Sequence, residues 1–180
     1  MAEIKGNIIM LACSLLETKP EAKTAALSSV RQMTGKEWDQ LDPNGWYDTK
    51  VLQMVFQAIV DNTSSLRGWA AIKVIGRKVF PTVHKRAGLP PSLTTPLDFF
   101  QYSVQSYREN HRGPDVIQRK IIKAEPGMVV IEAPSPGYSC ALAEGIYEGI
   151  LMMCNIRNGQ VKQARCVTKG DPTCEYVISW

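Results

Sequence analysis

The sequence predicts an α+β fold: a helical N-terminal half packed on an antiparallel sheet, with a C-terminal β-β-α-β-β segment that closes in a hairpin. Three observations carry this. Apolar residues recur at helical spacing in stripes between Leu52 and Tyr107. Two runs rich in β-branched residues flank Glu125-Pro126-Gly127. Another helical stripe then precedes two final strand-like runs, joined across Lys169-Gly170-Asp171-Pro172. Helices layered on one antiparallel sheet let both elements bury their apolar sides.

In chain order, residues 4–13 are apolar and read either as a buried strand or as the start of a helix; periodicity does not separate the two. Thr18-Lys19-Pro20-Glu21 opens a helix, with Thr18 or Lys19 near the cap and Pro20 in the first turn, and Gly35 follows its end at Val30 or Met33. Asp42-Pro43-Asn44-Gly45 is a turn, because Pro and Gly supply the backbone angles a turn needs. Leu52, Val55, Phe56 and Ile59 form the next helical stripe. After Ser64 or Ser65, Trp69, Ile72, Gly76, Val79, Phe80 and Val83 form another, ending at the Gly88-Leu89-Pro90-Pro91 loop. Thr95-Pro96 caps a helix with Leu97, Phe100, Val104 and Tyr107 on one face, which Gly113-Pro114 ends. Residues 116–124 and 128–133 read as strands, and Pro134-Ser135-Pro136-Gly137 as a loop. The helix over 139–154 carries Leu142, Ile146, Ile150 and Met153 on one side, with Gly145 and Gly149 one turn apart to permit close helix–sheet packing. Residues 160–168 and 173–180 form the closing hairpin.

A chain of 180 residues fits one domain and buries roughly 70% of its unfolded surface, so it folds without staples. With 44% hydrophobic and 21% charged residues, disorder is excluded as its general state. Between Asp61 and Asp98 there is no acidic residue, while Arg67, Lys73, Arg77, Lys78, Lys85 and Arg86 fall within that stretch. The run reads as a solvated helix face; no aromatic-interleaved basic motif accompanies it, which argues against nucleic acid as a partner. Residues 7–16 are apolar, but Lys5 is the only basic residue before them and no small-residue cleavage pattern follows. No window approaches 18 uncharged apolar residues, so a cytoplasmic location away from membranes is expected. Five cysteines in that setting point to reduced thiols or metal ligands.

The hairpin register makes Cys166 and Cys174 direct cross-strand neighbours, with Cβ atoms about 5 Å apart. Cys140 falls in the first turn of the preceding helix, where the helix dipole favours a thiolate. Three sulfurs could thus converge, although tetrahedral zinc takes four ligands and small buried cysteines are common without a metal.

The pattern Pro134-Ser135-Pro136, Tyr138-Ser139-Cys140, Glu144-Gly145, Tyr147-Glu148-Gly149, Cys166, Gly170-Asp171-Pro172-Thr173-Cys174-Glu175-Tyr176 and Ser179-Trp180 resembles the 4-vinyl reductase-type domain family. The match is most specific over residues 128–180, looser over 40–127, and leaves 1–35 as an N-terminal addition to a single ligand-binding domain spanning 1–180. The resemblance implies a small-molecule-binding module related to haem–nitric oxide binding domains and to TRAPP subunits of vesicle tethers. It implies a structural zinc held by Cys140, Cys166 and Cys174, with an acidic fourth ligand three positions before the middle cysteine. That position is Gln163 here, so water, Glu144 or Asp171 completes the shell, or the site holds no metal. Cys13 and Cys154 match nothing in the pattern and read as packing residues.

The same resemblance implies a pocket between helices and sheet for a hydrophobic or aromatic small molecule. Trp69, Phe80, His84, Phe100, Tyr107 and Tyr138 are its candidate lining residues. His84 would be the axial ligand in a haem reading, but Tyr102 through Arg108 has the residue types of a propionate-binding motif without its spacing, which argues against haem. No nucleophile–base grouping, phosphate loop or HExxH motif appears, so the expectation is a sensing or binding protein without catalysis of its own. It would act on a signalling partner in trans, as a homodimer. The alternatives are an accessory protein or reductase component in tetrapyrrole vinyl reduction, and a TRAPP-like interaction scaffold.

Overall fold

The computed structural model describes residues 1–133 and 139–180. It is an α+β architecture of six helices and two antiparallel sheets among the described residues, as the apolar patterning requires. The ambiguous stretch at residues 4–13 holds both of its readings in succession: strand β1 (Glu3–Lys5) runs directly into helix α1 (Gly6–Ser14). Gly6 permits that junction, since a Cβ there would lie 2.2 Å from the Asp42 carbonyl oxygen. β1 is the centre of a small sheet, between β2 (Trp46–Asp48) and β3 (His111–Arg112). Strands of two or three residues carry no periodicity, and their pairing joins segments more than 40 residues apart in sequence, so no local pattern announces them.

Helix α2 (Pro20–Thr34) starts with Pro at its first position and stops at Gly35, whose φ of 72° provides the left-handed C-terminal residue. α3 (Lys50–Asp61) buries Val51, Leu52, Val55, Phe56 and Ile59, and packs on α2. α4 (Ser65–Ala87) is the longest helix among the described residues. α5 (Pro96–Asn110) begins in a reciprocal cap: Asp98 N–H donates to Thr95 Oγ1 at 3.3 Å, and Thr95 N–H donates to Asp98 Oδ2 at 2.7 Å. Those bonds hold the Asp98 carboxyl below the usual carboxylate range.

The second sheet has strand order β4-β5-β7-β6, formed by β4 (Lys120–Glu125), β5 (Met128–Glu132), β6 (Gln160–Arg165) and β7 (Glu175–Ser179), all antiparallel. The first of these starts at Lys120, not at residue 116: β5 offers partners only from Lys120 onward, with Lys120 opposite Glu132. β5 and β7 are central, and Val129, Ile131 and Ile178 are fully buried beneath α6 (Cys140–Met153) and its neighbours. The closing hairpin is interrupted. β6 ends at Arg165 and a 3-10 turn at Val167–Lys169 leads to β7, because Asp171 accepts from the Cys166 N–H at 2.8 Å and folds the loop inward.

The tightest packing lies between α4 and α6. Gly145 and Gly149 serve helix–helix contact, not helix–sheet contact. A Cβ on Gly145 would sit 2.1 Å from the Lys73 carbonyl oxygen, one on Gly149 2.4 Å from that of Arg77, and one on Gly76 2.4 Å from that of Leu142. Pro81 has no N–H to donate to the Arg77 carbonyl within α4, and Gly149 closes on that same oxygen. Flanking the contact, Lys73 Nζ reaches Glu144 at 3.0 Å and Glu148 at 2.8 Å, and Arg77 Nε reaches Glu148 at 2.6 Å. Lys78 pairs with Glu17. Much of the acid-free basic run is thereby neutralised by carboxylates from elsewhere in the chain, leaving no continuous cationic face along α4. No helix among the described residues is long and apolar enough to cross a membrane.

Replacing Gly145 by Ala pushes a methyl group into backbone that cannot yield, and is expected to cost about 2–4 kcal/mol of stability. Met152→Ala, at a side chain exposed on the same helix, should stay within about 0.5 kcal/mol of wild type. Urea unfolding of the two variants side by side measures the difference.

Candidate functional site

A half-enclosed cavity of about 90 Å³ opens where the helices meet. Ile8, Leu11 and Ala12 of α1 form one wall, Leu52 of α3 and Ile75, Val79 and Phe80 of α4 another, and Leu142 and Ile146 of α6 the floor. The fourth side is polar: Ser103, Ser106, Tyr107 and Asn110 from one face of α5, with His111 and Arg119 beyond its end. The helical repeat puts residues 103, 106, 107 and 110 in one row, so a polar stripe within a mostly apolar core was readable in principle.

Most of this polar wall is bonded to itself. Ser103 Oγ donates to the Phe100 carbonyl at 2.7 Å, and Asn110 Nδ2 donates to the Ser106 carbonyl at 2.7 Å. His111 stacks on Tyr107, with ring centroids 3.9 Å apart, and its Nδ1 donates to the Tyr107 carbonyl at 2.7 Å. Arg119 lays its guanidinium over the other partner of that stack, 4.2 Å from the Tyr107 ring centre, and is only 5% exposed. Burial is the main reason the His111 imidazole is pushed down to about 4; the Arg119 charge adds to it, and the Tyr107 carbonyl partly opposes it. The histidine is therefore neutral at neutral pH, and the guanidinium remains the charge on the wall.

A second constellation lies at the N-terminal end of α6. Ser139 caps the helix by accepting from the Ala141 N–H at 3.2 Å, which presents Cys140 at the first helical position. Cys166 and Cys174 flank the closing loop, and the three sulfurs lie within 4.8 Å of one another; Cys140 and Cys166 are 3.6 Å apart. Gln163 sits where the motif calls for an acid, and its side-chain amide donates to Cys140 Sγ at 3.1 Å and to the Tyr176 hydroxyl at 3.4 Å. Neither carboxylate suggested as a substitute belongs to the group of three sulfurs: Glu144 pairs with Lys73, and Asp171 accepts from the Cys166 backbone N–H. Burial raises the Cys166 thiol, but bonds from Thr168 and Cys140 outweigh it and bring it to about 7. Cys174 is pushed up to about 11, first by burial and then by its sulfur neighbours. The free cluster thus carries one readily formed thiolate, ready to meet a soft cation.

The candidates read from sequence are dispersed. Phe80 and Tyr107 line the cavity. Phe100 is fully buried behind it, edge-on to Tyr147. Trp69 is 44% exposed, and His84 is exposed in the last turn of α4; neither lines the cavity. Tyr138 lies outside the described residues. Sequence reasoning passed over His111 and Arg119. Both follow the end of α5, in a segment without periodicity: His111 is placed by the pairing of β3 with β1, and Arg119 directly precedes β4. Cys13 is buried in the core, where desolvation raises its thiol to about 12, and Cys154 is half-buried at the end of α6.

No family model matches the chain, and no curated protein matches it in sequence. Solved structures do match in fold. An H-NOX protein from S. oneidensis in the Fe(II)NO ligation state aligns with a TM-score of 0.72 at 13% identity, covering 98% of both chains. An oxygen-binding H-NOX domain related to soluble guanylate cyclases, in its oxygen complex, aligns at 0.70 and 13% identity over 98% of this chain and 94% of that one. The Fe(II) unliganded H-NOX protein from K. algicida aligns at 0.68 and 11% identity, over 98% and 96%. The chain therefore has the H-NOX fold along nearly its whole length. This agrees with the relation to haem–nitric oxide binding domains, while the 4-vinyl reductase-type resemblance stays with the motif alone. It also corrects the argument against haem: structures sharing the fold come from work on haem distortion and haem redox potential, so proteins of this fold hold a haem, and the altered spacing of residues 102–108 does not argue against one.

Because His111 is held neutral in the folded chain, the unfolded chain takes up its proton first as pH falls. Stability is expected to fall between pH 6.5 and about 4, by about 3 kcal/mol at most, and to level off with respect to this group below that. Thermal melting across that window, compared with His111→Gln, reads the effect: the variant should lose this part of the slope.

Proposed function

We propose that this chain is a small-molecule-sensing module that takes its ligand in the cavity between α1, α3, α4, α5 and α6. The observation that carries the reading is the cavity itself: apolar walls with one polar side, the general form of a small-molecule site, within a fold whose solved examples bind oxygen and nitric oxide. The walls come from α1 near the start of the chain and α6 near its end. A ligand that prefers one spacing of these helices would shift the packing of both. Output would pass to a partner protein or across a homodimer.

Haem is the ligand class that the similar structures bring to this reading. A porphyrin does not fit the cavity as it stands, since about 90 Å³ falls below the roughly 300–1,000 Å³ of pockets for drug-sized ligands. His111 is the histidine on the wall, and its Nδ1 is already engaged by Tyr107.

The cysteine cluster gives the finer assignment, to the 4-vinyl reductase-type branch, its support. Three sulfurs on α6 and the closing loop form three corners of a structural zinc site, with Gln163 or a water at the fourth. Such a metal would tie the start of α6 to β6 and β7, and so hold the floor of the cavity.

The protein, purified without added metal and without an affinity tag of histidines, is expected to carry about one zinc per chain by elemental analysis, absent from Cys166→Ser. Native mass spectrometry and a visible-range titration with haemin then test the cavity. Binding that disappears on filling it with Ala12→Phe supports the sensing role. If neither a small molecule nor haemin binds, and Ala12→Phe only raises the melting temperature, the cavity is a packing defect and the sensing role is lost.

A further inference from the structure

Three sulfurs are what the chain offers an ion at the start of α6. Among the described residues the group consists of Cys140, Cys166 and Cys174, with no carboxylate or imidazole joining them. Structural zinc sites close on four protein ligands, whereas a site with three keeps a position for a molecule from solution. Gln163 decides which of the two this cluster is.

Gln163 lies in β6 directly opposite Tyr176 in β7. Its amide nitrogen donates to Cys140 Sγ at 3.1 Å and to the Tyr176 hydroxyl at 3.4 Å. Two acceptors thus take the two N–H bonds of one amide and fix its orientation, with nitrogen toward the sulfur. That nitrogen has no lone pair to give a metal. Turning the amide over would set its carbonyl oxygen against a thiolate, acceptor against acceptor. The residue in the place of the acid is therefore a hydrogen-bond donor to one of the sulfurs, the role of an outer group that orients a ligand. Exposure falls on the same side. Cys166 and Cys174 are buried, whereas Cys140 and Gln163 are each partly exposed. The cluster meets solvent beside the residue that replaces the acid.

From this arrangement we propose that the cluster holds its zinc through three cysteines alone, and that the fourth position, left open by Gln163, takes an exchangeable small neutral donor from solution. This rests on the reading of the cluster as a zinc site and adds that the site is open, and to what. Three thiolates more than neutralise a dication, so a neutral nitrogen or oxygen donor suits the remaining position better than a further anion. The metal still ties α6 to β6 and β7, and its fourth position becomes a ligand site separate from the cavity.

Cobalt(II) in place of zinc, loaded without oxygen, is the probe, because its visible absorption responds to each ligand; imidazole and acetate are the incoming molecules. The cobalt-loaded wild-type chain is expected to show sulfur-to-metal charge transfer and to shift its visible bands saturably with imidazole, but not with acetate at the same concentration. In Gln163→Glu a tethered carboxylate competes for the position at a roughly millimolar or higher effective concentration, so about tenfold more imidazole should be needed. The wild-type titration needs no variant, so it decides even if Gln163→Glu does not fold. No shift in the cobalt-loaded wild type, or a shift that comes only with loss of the metal, overturns the open position while the metal site stands. Equal responses of wild type and Gln163→Glu overturn the part given to Gln163, and an acetate response equal to that of imidazole overturns the neutral donor. If neither zinc nor cobalt binds, the metal site and the open position fall together.

Discussion

The approach of α6 to α4 sets the terms for the rest of the molecule. Three glycines remove the side chains that would hold the helices apart, so backbone meets backbone at Gly76, Gly145 and Gly149. Neither helix can rotate or slide without pressing a Cα into a carbonyl. Ordinary helix pairs are spaced by their side chains at 8–10 Å and tolerate repacking; this pair has no such cushion. The ion pairs from Lys73 and Arg77 to Glu144 and Glu148 sit at the edge of the contact and are partly exposed. They help fix register more than they add stability.

With α6 fixed, both constellations follow. Its N-terminal residue supplies Cys140 to the sulfur cluster, its first two turns supply Leu142 and Ile146 to the cavity, and Tyr147 lies between the aromatic pair Phe100 and Tyr176. Tyr176 also receives the Gln163 amide that reaches Cys140. The cluster and the cavity therefore draw on the same N-terminal half of one helix, with the aromatic packing around Tyr147 beside both. A cation gathering the cysteines would act on the same helix that a ligand presses from the cavity. A displacement of that half-helix would be felt at both constellations, because close packing leaves no soft layer in which it could dissipate.

The fold persists at 11–13% identity with the H-NOX structures because few positions constrain it strictly. Apolar stripes tolerate exchange among Leu, Ile, Val and Met as long as volume and period are kept. The interior lining is not under the same constraint, and here it combines a buried arginine with a histidine held neutral beside it. One backbone path can carry many linings, so the fold by itself does not fix the ligand.

The sequence by itself determined the elements whose signals are local. The period of 3.6 in Leu52, Val55, Phe56 and Ile59, the proline and glycine at the ends of α2, the Thr95-Pro96 start of α5 and the Pro126-Gly127 turn all act within a few residues, so they are legible without a partner. The three-cysteine motif was legible for the same reason of pattern, and the cysteines do converge. Tertiary structure alone decided the rest. Whether Gly145 and Gly149 faced a sheet or a helix depended on where α4 lay, and nothing near them in the chain says so. His111 entered the cavity through a two-residue strand paired with residues 3 and 4, and Arg119 from the residue before β4, contacts whose cost and gain are both non-local. Trp69 and His84 were candidates for the pocket that the resemblance implied, yet a helix has two faces, and only packing chooses which one is buried.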